Sequence, residues 1–489
     1  MLRRLTQAGL AALPAGVCRP RYDRAAVRTG IVHLGIGAFH RAHQAAYTDA
    51  VLAAGDARWG IVAASLRNAG TRDALAPQDG LYTLNTQGEE SGFDVIGSVQ
   101  RLLVAPENPA GLLDELCRPS VAIVSLTVTE KAYCRDPATG LLDEAHPDIV
   151  HDLANPHAPR SVLGFLAAAV AWRRAAGLSP FTVLCCDNLP ANGATVRRVL
   201  TRYSELLSPG LGGYVQDRVA CPDTMVDRIA PATTEADRAR VAAALGMQDA
   251  WPVIAEPFSQ WVIEDRFAAG RPAWDAAGAE FVSDVAPFEA MKLRLLNGSH
   301  SALAYTGYLA GYETVAEAMT DAGIAAFVQG LMADAAATLA VPPGTDVAGY
   351  ARSLLARFRN PALRHRTWQI AMDGSQKLPQ RLLDVMRERL AQDLPIERHA
   401  LAVAAWMRYV AGADERGRPI DVRDPLAAEL AAVAGAAGPM PERLAPALLG
   451  TTAIFGTDLL ADPRVRAAVT EALARLYALG SSRAAELAA

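Results

Sequence analysis

The chain has 489 residues, 51% of them hydrophobic and 20% charged, which is typical of a globular protein built from two or three domains. Its formal net charge of -5 argues against a general nucleic-acid-binding protein, which would show a basic face or arm. The longest apolar runs, such as residues 163–172, are far shorter than the roughly 20 residues that span a bilayer, and no apolar signal segment follows Arg3 and Arg4. The sequence therefore predicts a cytoplasmic protein that binds neither nucleic acid nor membrane.

Two kinds of predicted structure follow each other along the chain. Residues 1–286 alternate β-branched runs with helical stretches, which is typical of a mostly parallel α/β sheet. From residue 287 onward an Ala-, Leu- and Arg-rich helical periodicity continues to residue 489. We expect an α/β domain over 1–286 and an all-α domain over 287–489. The clearest predicted strands are residues 30–34, 60–66, 121–128 and 181–186.

A glycine-rich turn follows the first predicted strand. Gly35 and Gly37 stand between that strand and a predicted helix over residues 41–54, a context in which the turn and the helix N-terminus bind a pyrophosphate. His40 occupies the place of the third glycine of the usual dinucleotide fingerprint. The turn indicates a nucleotide site, with a plain strand-to-helix turn as the alternative.

The end of the next predicted strand bears on which dinucleotide is bound. Residues 67–70 read Arg-Asn-Ala-Gly and lack the acid that hydrogen-bonds the ribose 2′-OH of NAD. Arg67 can equally tolerate the 2′-phosphate of NADP. The choice between NAD and NADP stays open from these residues.

Lysine is rare in this chain. Only three of the 47 lysine and arginine residues are lysines, namely Lys131, Lys292 and Lys377. Of the two residue types, only lysine can lose its proton at an accessible pH, and it is also the compact point charge. The three lysines are therefore candidates for functions that arginine cannot serve, with chance retention as the alternative.

Lys292 stands in a predicted helix with other polar residues. At about 100° per residue, Glu289, Asn297 and His300 lie roughly 60°, 140° and 80° from Lys292, so all four share one arc of an α-helix. Leucines occupy the same arc, so we expect the helix to be buried. Buried Lys, Asn and His side chains are costly unless they are paired or used.

A buried lysine suits general acid/base catalysis, because desolvation brings its pKa from about 10.4 towards 7 to 8. Lys292 can then exchange a proton with a substrate hydroxyl. The amides of Asn297 and of Asn188, which follows the last predicted strand, can hold the substrate oxygen as charge develops. The alternatives are a turn or cap role for each Asn and a satisfied core position for His300.

Metal and disulfide chemistry is not indicated. The six cysteines form neither a C-x-x-C pair nor a disulfide-dense pattern, so reduced thiols are expected. No Cys and His spacing typical of zinc sites occurs either, and the sequence predicts no metal.

Five segments resemble the polyol-specific long-chain dehydrogenase family, which includes mannitol 2-dehydrogenases and fructuronate reductases. The resemblance covers nearly the whole chain, and the segment that contains Lys292 is highly specific. The segments are Gly-Ile-Gly-Ala-Phe-His-Arg-Ala-His at 35–43, Cys-Asp-Asn-Leu-Pro-Ala-Asn-Gly at 186–193, Met-Val-Asp-Arg-Ile at 225–229, Glu-Pro-Phe-Ser-Gln-Trp-Val-Ile-Glu-Asp at 256–265 and Lys-Leu-Arg-Leu-Leu-Asn-Gly-Ser-His at 292–300.

The resemblance implies a zinc-independent, NAD-linked enzyme with an N-terminal Rossmann-type domain, a C-terminal helical domain and an active site between them. Position by position, Lys292 resembles the general acid/base. Asn188 and Asn297 resemble the oxyanion donors, and His300 resembles a substrate-orienting group. Family members are often monomeric, but the sequence does not decide the oligomeric state.

Further site residues follow from the same resemblance. Glu289 matches a glutamate that controls proton exit, and Asp227 matches a substrate-site aspartate. The predicted cofactor contacts are Gly35, Gly37, Phe39, Arg67, Thr127, Glu130 and Asp187.

Two segments, residues 125–131 and 363–381, are similar to fructuronate reductases rather than to mannitol 2-dehydrogenases. The second segment carries four cations against the single acid Asp373, and a cation cluster complements the carboxylate of a hexuronate. These cations are Arg364, Arg366, Lys377 and Arg381. We expect Lys377 and one arginine to bind the carboxylate, although such cations also pair with acids or cap helices.

The implied activity is reversible, NAD-dependent reduction of D-fructuronate to D-mannonate, with a small sugar acid as the substrate. A mannitol 2-dehydrogenase and a tagaturonate-type reductase are the alternatives. A more remote alternative is a nucleotide-binding protein that has no catalytic activity. The role of Lys131 stays open.

Overall fold

In the computed structural model, which describes residues 2–88, 91–136, 139–342 and 344–489, the chain divides into two units, Met1–Ala286 and Pro287–Ala489. The strands belong to the first unit. They are β1 (Thr29–Leu34), β2 (Gly60–Ser65), β3 (Tyr82–Gln87), β4 (Ser91–Ile96), β5 (Val99–Val104), β6 (Ile123–Leu126), β7 (Thr182–Cys185), β8 (Thr224–Asp227), β9 (Val253–Ala255), β10 (Gln260–Glu264) and β11 (Glu280–Val282).

Among its described residues, the first unit has nine α-helices. They are α1 (Ala38–Ala42), α2 (Gln44–Ala53), α3 (Gly70–Leu75), α4 (Pro109–Leu116), α5 (Pro147–Ala154), α6 (Val162–Ala175), α7 (Asn192–Leu207), α8 (Leu211–Arg218) and α9 (Glu235–Leu245). Short 3₁₀-helices cover Gln7–Ala12, Arg24–Ala26, Ala76–Gln78, Glu130–Tyr133 and Trp274–Ala277.

The main sheet has five parallel strands in the order β5-β2-β1-β6-β7. Its central strands are buried on both faces, as their continuous apolar runs require. Along β1, Ile31 packs into the core of one face and Val32 into the core of the other. The chain leaves β1 towards β2 on one side and later returns to β6 on the other. The carboxyl ends of β1 and β6 therefore mark the point where ligands bind in such sheets.

The predicted α/β domain is confirmed. The four predicted strands correspond to β1, β2, β6 and β7, although β2, β6 and β7 are shorter, because apolar residues continue into the turns that follow or precede them. Two smaller sheets, with the orders β4-β3-β9 and β11-β10-β8, were not among the predicted strands. Both contain antiparallel pairs, and both include strands of only three residues.

The predicted continuous helix over 41–54 is wrong in one respect, since the structure breaks it. At His43 the backbone has φ −123° and ψ −97°, which separates α1 from α2. The imidazole lies in an aromatic cluster, with ring centroids 5.0 Å from Phe39 and 5.4 Å from Trp261. Its Nε2 atom is 3.0 Å from the carbonyl oxygen of Gln260. These contacts hold the break in place.

The second unit is helical, as predicted. Its α-helices are α10 (Ala286–Met291), α11 (Ser299–Ala310), α12 (Val315–Ala318), α13 (Ala322–Ala336), α14 (Val347–Phe358), α15 (Thr367–Ala371), α16 (Gly374–Leu378), α17 (Asp384–Ala391), α18 (Glu397–Val410), α19 (Ala427–Ala437), α20 (Pro441–Leu449), α21 (Thr452–Phe455), α22 (Asp458–Ala461), α23 (Pro463–Leu479) and α24 (Ser481–Ala488). A 3₁₀-helix covers Pro361–Leu363, and two π-helices cover Lys292–Gly298 and Pro379–Leu383. Helices α11 and α18 are buried along nearly their whole length and form the centre of this unit.

Three chemical properties bear on function. All six cysteines carry free thiols. Across the part of the chain that the structure describes, no three His, Cys, Asp or Glu side chains are grouped so that they could hold a metal ion. None of the described helices is both long enough and apolar enough to cross a membrane.

We predict that acid weakens the fold through its buried imidazoles. Burial lowers the pKa values of His33 and His399 to about 3, against about 6.5 in an unfolded chain. The unfolded state therefore binds more protons between these values, so this contribution to stability is complete above pH 6.5 and is lost as pH falls towards 3. In urea titrations, lowering the pH from 7 to 5 should cost the wild type about 2 kcal/mol more than a His399→Leu variant. Equal losses in both proteins would contradict the prediction.

Candidate functional site

The glycine turn after β1 has the shape of a dinucleotide cradle. Gly35 has φ +96°, and a Cβ there would lie 2.2 Å from the carbonyl oxygen of Thr127, so only glycine fits. A Cβ at Gly37 would meet nothing closer than 3.8 Å, which leaves open space above the turn. No side chain caps the N-terminus of α1, whose free amides suit a pyrophosphate. The residues present therefore fit a bound dinucleotide.

Below this turn, a pair of stacked imidazoles fills the space that the third glycine usually leaves. The rings of His33, on β1, and His40, on α1, lie 3.4 Å apart between centroids with an interplanar angle of 11°. Both side chains are fully buried. In dinucleotide-binding folds the third glycine allows close packing of helix on strand, so here the stacked rings act as the spacer.

Thr127, a predicted cofactor contact, belongs to the support of the same turn. His33 lies between two hydroxyls, with Nδ1 2.9 Å from Ser125 Oγ and Nε2 3.0 Å from Thr127 Oγ1. Thr127 donates its own hydroxyl proton to the carbonyl oxygen of Gly35, at 2.8 Å. The hydroxyl of Thr127 thus holds the turn rather than pointing away from it.

The predicted ribose-recognition position lies in the turn after β2. Arg67 is exposed there, and its backbone N–H donates to Ser65 Oγ at 3.4 Å. Asn68 uses its side-chain oxygen to accept a bond from the N–H of Gly70. No acid occurs between Ser65 and Gly70, as the sequence analysis stated.

Asp187, at the carboxyl end of β7, holds the loop that follows β6. Its carboxylate accepts hydrogen bonds from the N–H groups of Val128 (2.9 Å) and Thr129 (3.0 Å) and from the hydroxyl of Tyr133 (2.6 Å). Thr129 has φ +74° and ψ 156°, a conformation that is strained for a β-branched residue. Asp187 therefore supports this loop, and its predicted contact with the cofactor stays a prediction.

The remaining predicted residues of the first unit follow β6 or β7, or end β8 in one of the smaller sheets. Glu130 and Lys131 are exposed in the 3₁₀-helix after Thr129. Asn188 directly follows Asp187 after the end of β7. Asp227 is the buried last residue of β8.

In the second unit, Lys292 begins a π-helix rather than continuing an α-helix, so the predicted α-helical spacing is wrong over Lys292–Gly298. Because π-helical hydrogen bonds join residues i and i+5, residues five apart lie above one another. Asn297 is the fifth residue after Lys292 and so lies much nearer to its face than the predicted offset of roughly 140°. Lys292 is 8% exposed and Asn297 is half-buried. The π-helix therefore places Asn297 closer to the face of Lys292 than the α-helical spacing predicts.

The two π-helices pack against each other at Gly298. A Cβ at Gly298 would lie only 2.7 Å from the carbonyl oxygen of Arg381. The guanidinium of Arg381 donates to Ser301 Oγ at 3.0 Å, which fastens the second π-helix to the start of α11. The second π-helix begins at Pro379, which has no N–H for an α-helical bond, and the N–H of Asp384 bonds the carbonyl of Pro379 five residues earlier.

Arg294 fixes the outer side of the first π-helix. It forms a bidentate ion pair with Glu388 on α17, with both N···O distances at 2.6 Å. It also donates to the carbonyl and the hydroxyl of Thr338. The helix that carries Lys292 is therefore held from two sides.

His300 lies among aromatic rings and cations. Its ring stacks on Phe358 at 5.0 Å between centroids. Burial holds the pKa of His300 well below its usual value, and the positive charges of Arg381, Arg357 and Lys377 lower it further. His300 is therefore neutral at physiological pH and can both donate and accept a hydrogen bond.

The predicted carboxylate-binding cations are not all alike. The ammonium of Lys377 donates to the main-chain carbonyls of Met372 (2.5 Å) and Ile370 (3.4 Å). Arg364 and Arg366 are exposed, and Arg364 has φ +41°. Among the predicted cations, the structure brings Lys377 and Arg381 towards His300. Glu289 is partly buried in the first turn of α10.

Comparison with known proteins identifies the chain. The family model for the mannitol dehydrogenase Rossmann domain matches residues 29–276, and that for the mannitol dehydrogenase C-terminal domain matches residues 284–477. The D-mannonate oxidoreductase of Escherichia coli (strain K12) is 48% identical over 95% of this chain and 96% of its own. A mannitol 2-dehydrogenase of Aspergillus fumigatus is 41% identical over 93% and 92%. The chain belongs to the mannitol dehydrogenase family.

A solved structure shows the same fold. The mannitol 2-dehydrogenase of Pseudomonas fluorescens, in a ternary complex with NAD and D-mannitol, matches with a TM-score of 0.90 and 40% identity, covering 99% of both chains. Membership of the mannitol dehydrogenase family makes this protein an NAD-dependent oxidoreductase that acts on CH–OH groups. The predicted family, fold class and cofactor are confirmed.

Four residues that shape these sites were not predicted from the sequence. His33 and Gly298 support the turn and the π-helix, and Arg357 and His365 lie against His300. Only one of them left a signal in the sequence, since a glycine directly after Asn297 in a predicted buried helix indicates a close contact. The others depend on tertiary packing.

We predict that Asp187→Asn weakens NADH binding about tenfold. An amide offers one acceptor oxygen where the carboxylate accepts three bonds, so the strained Thr129 loop loosens. Tyr133→Phe removes only one of the three bonds and should weaken binding less. Titration of NADH by fluorescence checks both variants, and an unchanged Kd for Asp187→Asn would show that the loop does not support the cofactor.

We also predict that Gly298→Ala lowers kcat tenfold or more while the protein stays folded. The new methyl group must displace the backbone of the second π-helix, because the contact is with a carbonyl and not with a flexible side chain. Gly435→Ala in α19 is the matched control, since a Cβ there meets nothing within 4 Å. Steady-state rates and thermal unfolding compare the two. Equal rates would refute a role for the contact in activity.

Proposed function

We propose that the protein catalyses the reversible, NAD-dependent reduction of D-fructuronate to D-mannonate. The observation that carries the proposal is the positive charge gathered around His300, where Arg357, Lys377 and Arg381 act on one neutral imidazole. A hexuronate has a carboxylate that an uncharged polyol lacks, and fixed cations are its natural complement. The 48% identity to a D-mannonate oxidoreductase supports the same substrate.

The chemistry divides between the cofactor and the protein. When bound, NADH would supply the hydride that the keto sugar accepts at C5. We assign to Lys292 the delivery of the proton to the developing alkoxide, and to Asn297 and Asn188 the hydrogen bonds that hold that oxygen. In the reverse direction neutral Lys292 removes the hydroxyl proton. His300 orients the substrate, and Glu289 and Asp227 keep their predicted roles in proton exit and substrate binding.

Burial and the π-helix make Lys292 suitable for this task. Removal of a lysine from water disfavours its ammonium form, and a residue in a fixed helix keeps a defined direction. Asn297 on the same π-helical face can donate to the oxygen that Lys292 protonates. An arginine at position 292 could not lose its proton.

A mannitol 2-dehydrogenase is the second candidate. Its support is the solved structure, a complex with D-mannitol, which matches over 99% of both chains with a TM-score of 0.90. A tagaturonate-type reductase would use the same cations as a fructuronate reductase. The cytoplasmic location expected from the sequence stays a prediction, and the oligomeric state stays open.

A substrate panel tests the proposal. NADH and NADPH oxidation should be measured with D-fructuronate, D-tagaturonate, D-fructose and D-xylulose, each with and without a chelator. We expect the highest kcat/KM with D-fructuronate and NADH, and no effect of the chelator. Preference for fructose over both uronates would refute the carboxylate assignment, and loss of activity with the chelator would refute metal independence.

We predict that Lys292→Ala lowers kcat by about 10²- to 10⁴-fold while NADH still binds. Lys292→Arg should lose as much, because arginine keeps the charge but cannot exchange the proton. Stopped-flow reduction rates and NADH titrations separate chemistry from binding. Near-wild-type turnover of Lys292→Arg would exclude Lys292 as the acid/base.

A further inference from the structure

A second imidazole lies beside His300. The ring of His365 is 4.9 Å from that of His300 between centroids, at an interplanar angle of 70°. His365 lies in the segment between the 3₁₀-helix Pro361–Leu363 and α15, whereas His300 lies in α11. Two parts of the chain that are far apart in sequence therefore bring two imidazoles into edge-to-face contact.

The backbone fixes His365 in this position. Its carbonyl oxygen accepts a hydrogen bond from the N–H of Val315 at 2.9 Å. Two residues later, the N–H of Thr367 donates to the carbonyl oxygen of Glu313 at 3.0 Å. The segment is thus paired with the start of α12 like a short strand, which fixes the position of the His365 backbone beside His300.

Each ring has one buried nitrogen without a hydrogen-bond partner among the described residues. These atoms are His365 Nδ1 and His300 Nε2. Buried polar atoms in native proteins are nearly always paired, and an unpaired one indicates a missing ligand or water. Two such atoms on neighbouring rings could be satisfied together by a ligand with two polar groups.

The two rings suit hydroxyl groups rather than a carboxylate. Burial lowers the pKa of His365 to about 4, and that of His300 is also well below its usual value. Neutral imidazoles each offer one donor and one acceptor, which is the pattern of an alcohol. The anionic end of a sugar acid belongs instead with Arg357, Lys377 and Arg381.

We propose that His365 is a second substrate-binding residue, which together with His300 binds two neighbouring hydroxyl groups of the sugar acid. The proposal rests on the proposed function, since it needs a polyhydroxylated substrate at His300. His365 positions the substrate and takes no part in proton transfer. An unpaired buried nitrogen alone does not make such a site, because His399 has one on Nδ1 as well. The contact of His365 with His300 is what distinguishes it.

The experiment compares His365→Phe, His365→Asn and His399→Phe. Phenylalanine keeps an aromatic edge against His300 but removes both nitrogens, whereas asparagine retains a polar group near the position of Nδ1. We expect His365→Phe to raise KM for the sugar acid about tenfold or more, with Kd for NADH within twofold of the wild type. His365→Asn should recover part of the loss, and His399→Phe should leave KM unchanged.

Deoxy analogues of the substrate identify the hydroxyl. For the analogue that lacks the hydroxyl bound by His365, His365→Phe should cause no further loss in kcat/KM. For each of the other analogues, the same substitution should still lower kcat/KM about tenfold. The proposal is overturned if His365→Phe raises KM less than threefold, or if the substitution lowers kcat/KM by the same factor for every analogue. Should His365→Phe not fold, His365→Asn and the same analogue series decide between these outcomes.

Failure of the proposed function can be told apart from failure of this inference. All kinetic comparisons use whichever sugar of the substrate panel is turned over best. If that sugar is not D-fructuronate, the proposed function fails while the His365 test proceeds unchanged. If D-fructuronate is the substrate and the analogue series shows no His365-dependent hydroxyl, only the His365 inference fails.

Discussion

The contact between Gly298 and the carbonyl oxygen of Arg381 is the constraint on which the site in the second unit depends. It joins two π-helices, one carrying Lys292 and Asn297 and the other carrying Arg381. A wider helical turn inserts a residue into the usual spacing and turns side chains to a new face. A side chain at position 298 would push the two helices further apart, and Lys292 and Arg381 would lose their present register.

In the first unit, a charged side chain fixes the backbone at the candidate site, whereas in the second unit the absence of a side chain at Gly298 does so. Asp187 gathers two backbone N–H groups and the Tyr133 hydroxyl at the carboxyl end of β7, and so keeps Thr129 in a strained conformation. The stacked rings of His33 and His40 support the glycine turn on the neighbouring strand. The Asp187 hydrogen bonds and the stacked imidazoles both lie at the edge of the parallel sheet where ligands bind. Backbone strain such as that at Thr129 is concentrated at functional sites.

Much of the fold and of the candidate site could be predicted from the sequence, because it depends on patterns of neighbouring residues. Continuous apolar runs predicted the central strands, and the Lys292 segment identified the family, whereas the acid/base role of Lys292 stays a prediction. The α-helical spacing around Lys292 failed because no local signal distinguishes a π-helix, whose extra residue is stabilised by packing against Arg381 and Glu388. His365 could not be found at all, since its proximity to His300 arises only when distant segments pack.

The hydrogen bonds that the buried arginines form give a physical reason for the rarity of lysine. Buried arginines do the work of binding main-chain carbonyls, as Arg24 does with Gly97, Asp79 and Val99 and Arg173 does with Ser179 and Arg118. A planar fork with five donors suits that task better than an ammonium. The ammonium of Lys377 also donates to main-chain carbonyls, those of Met372 and Ile370, and these contacts do not require a removable proton. Lys292 is then the lysine whose proposed task requires losing a proton, and arginine is excluded there by chemistry and not by size.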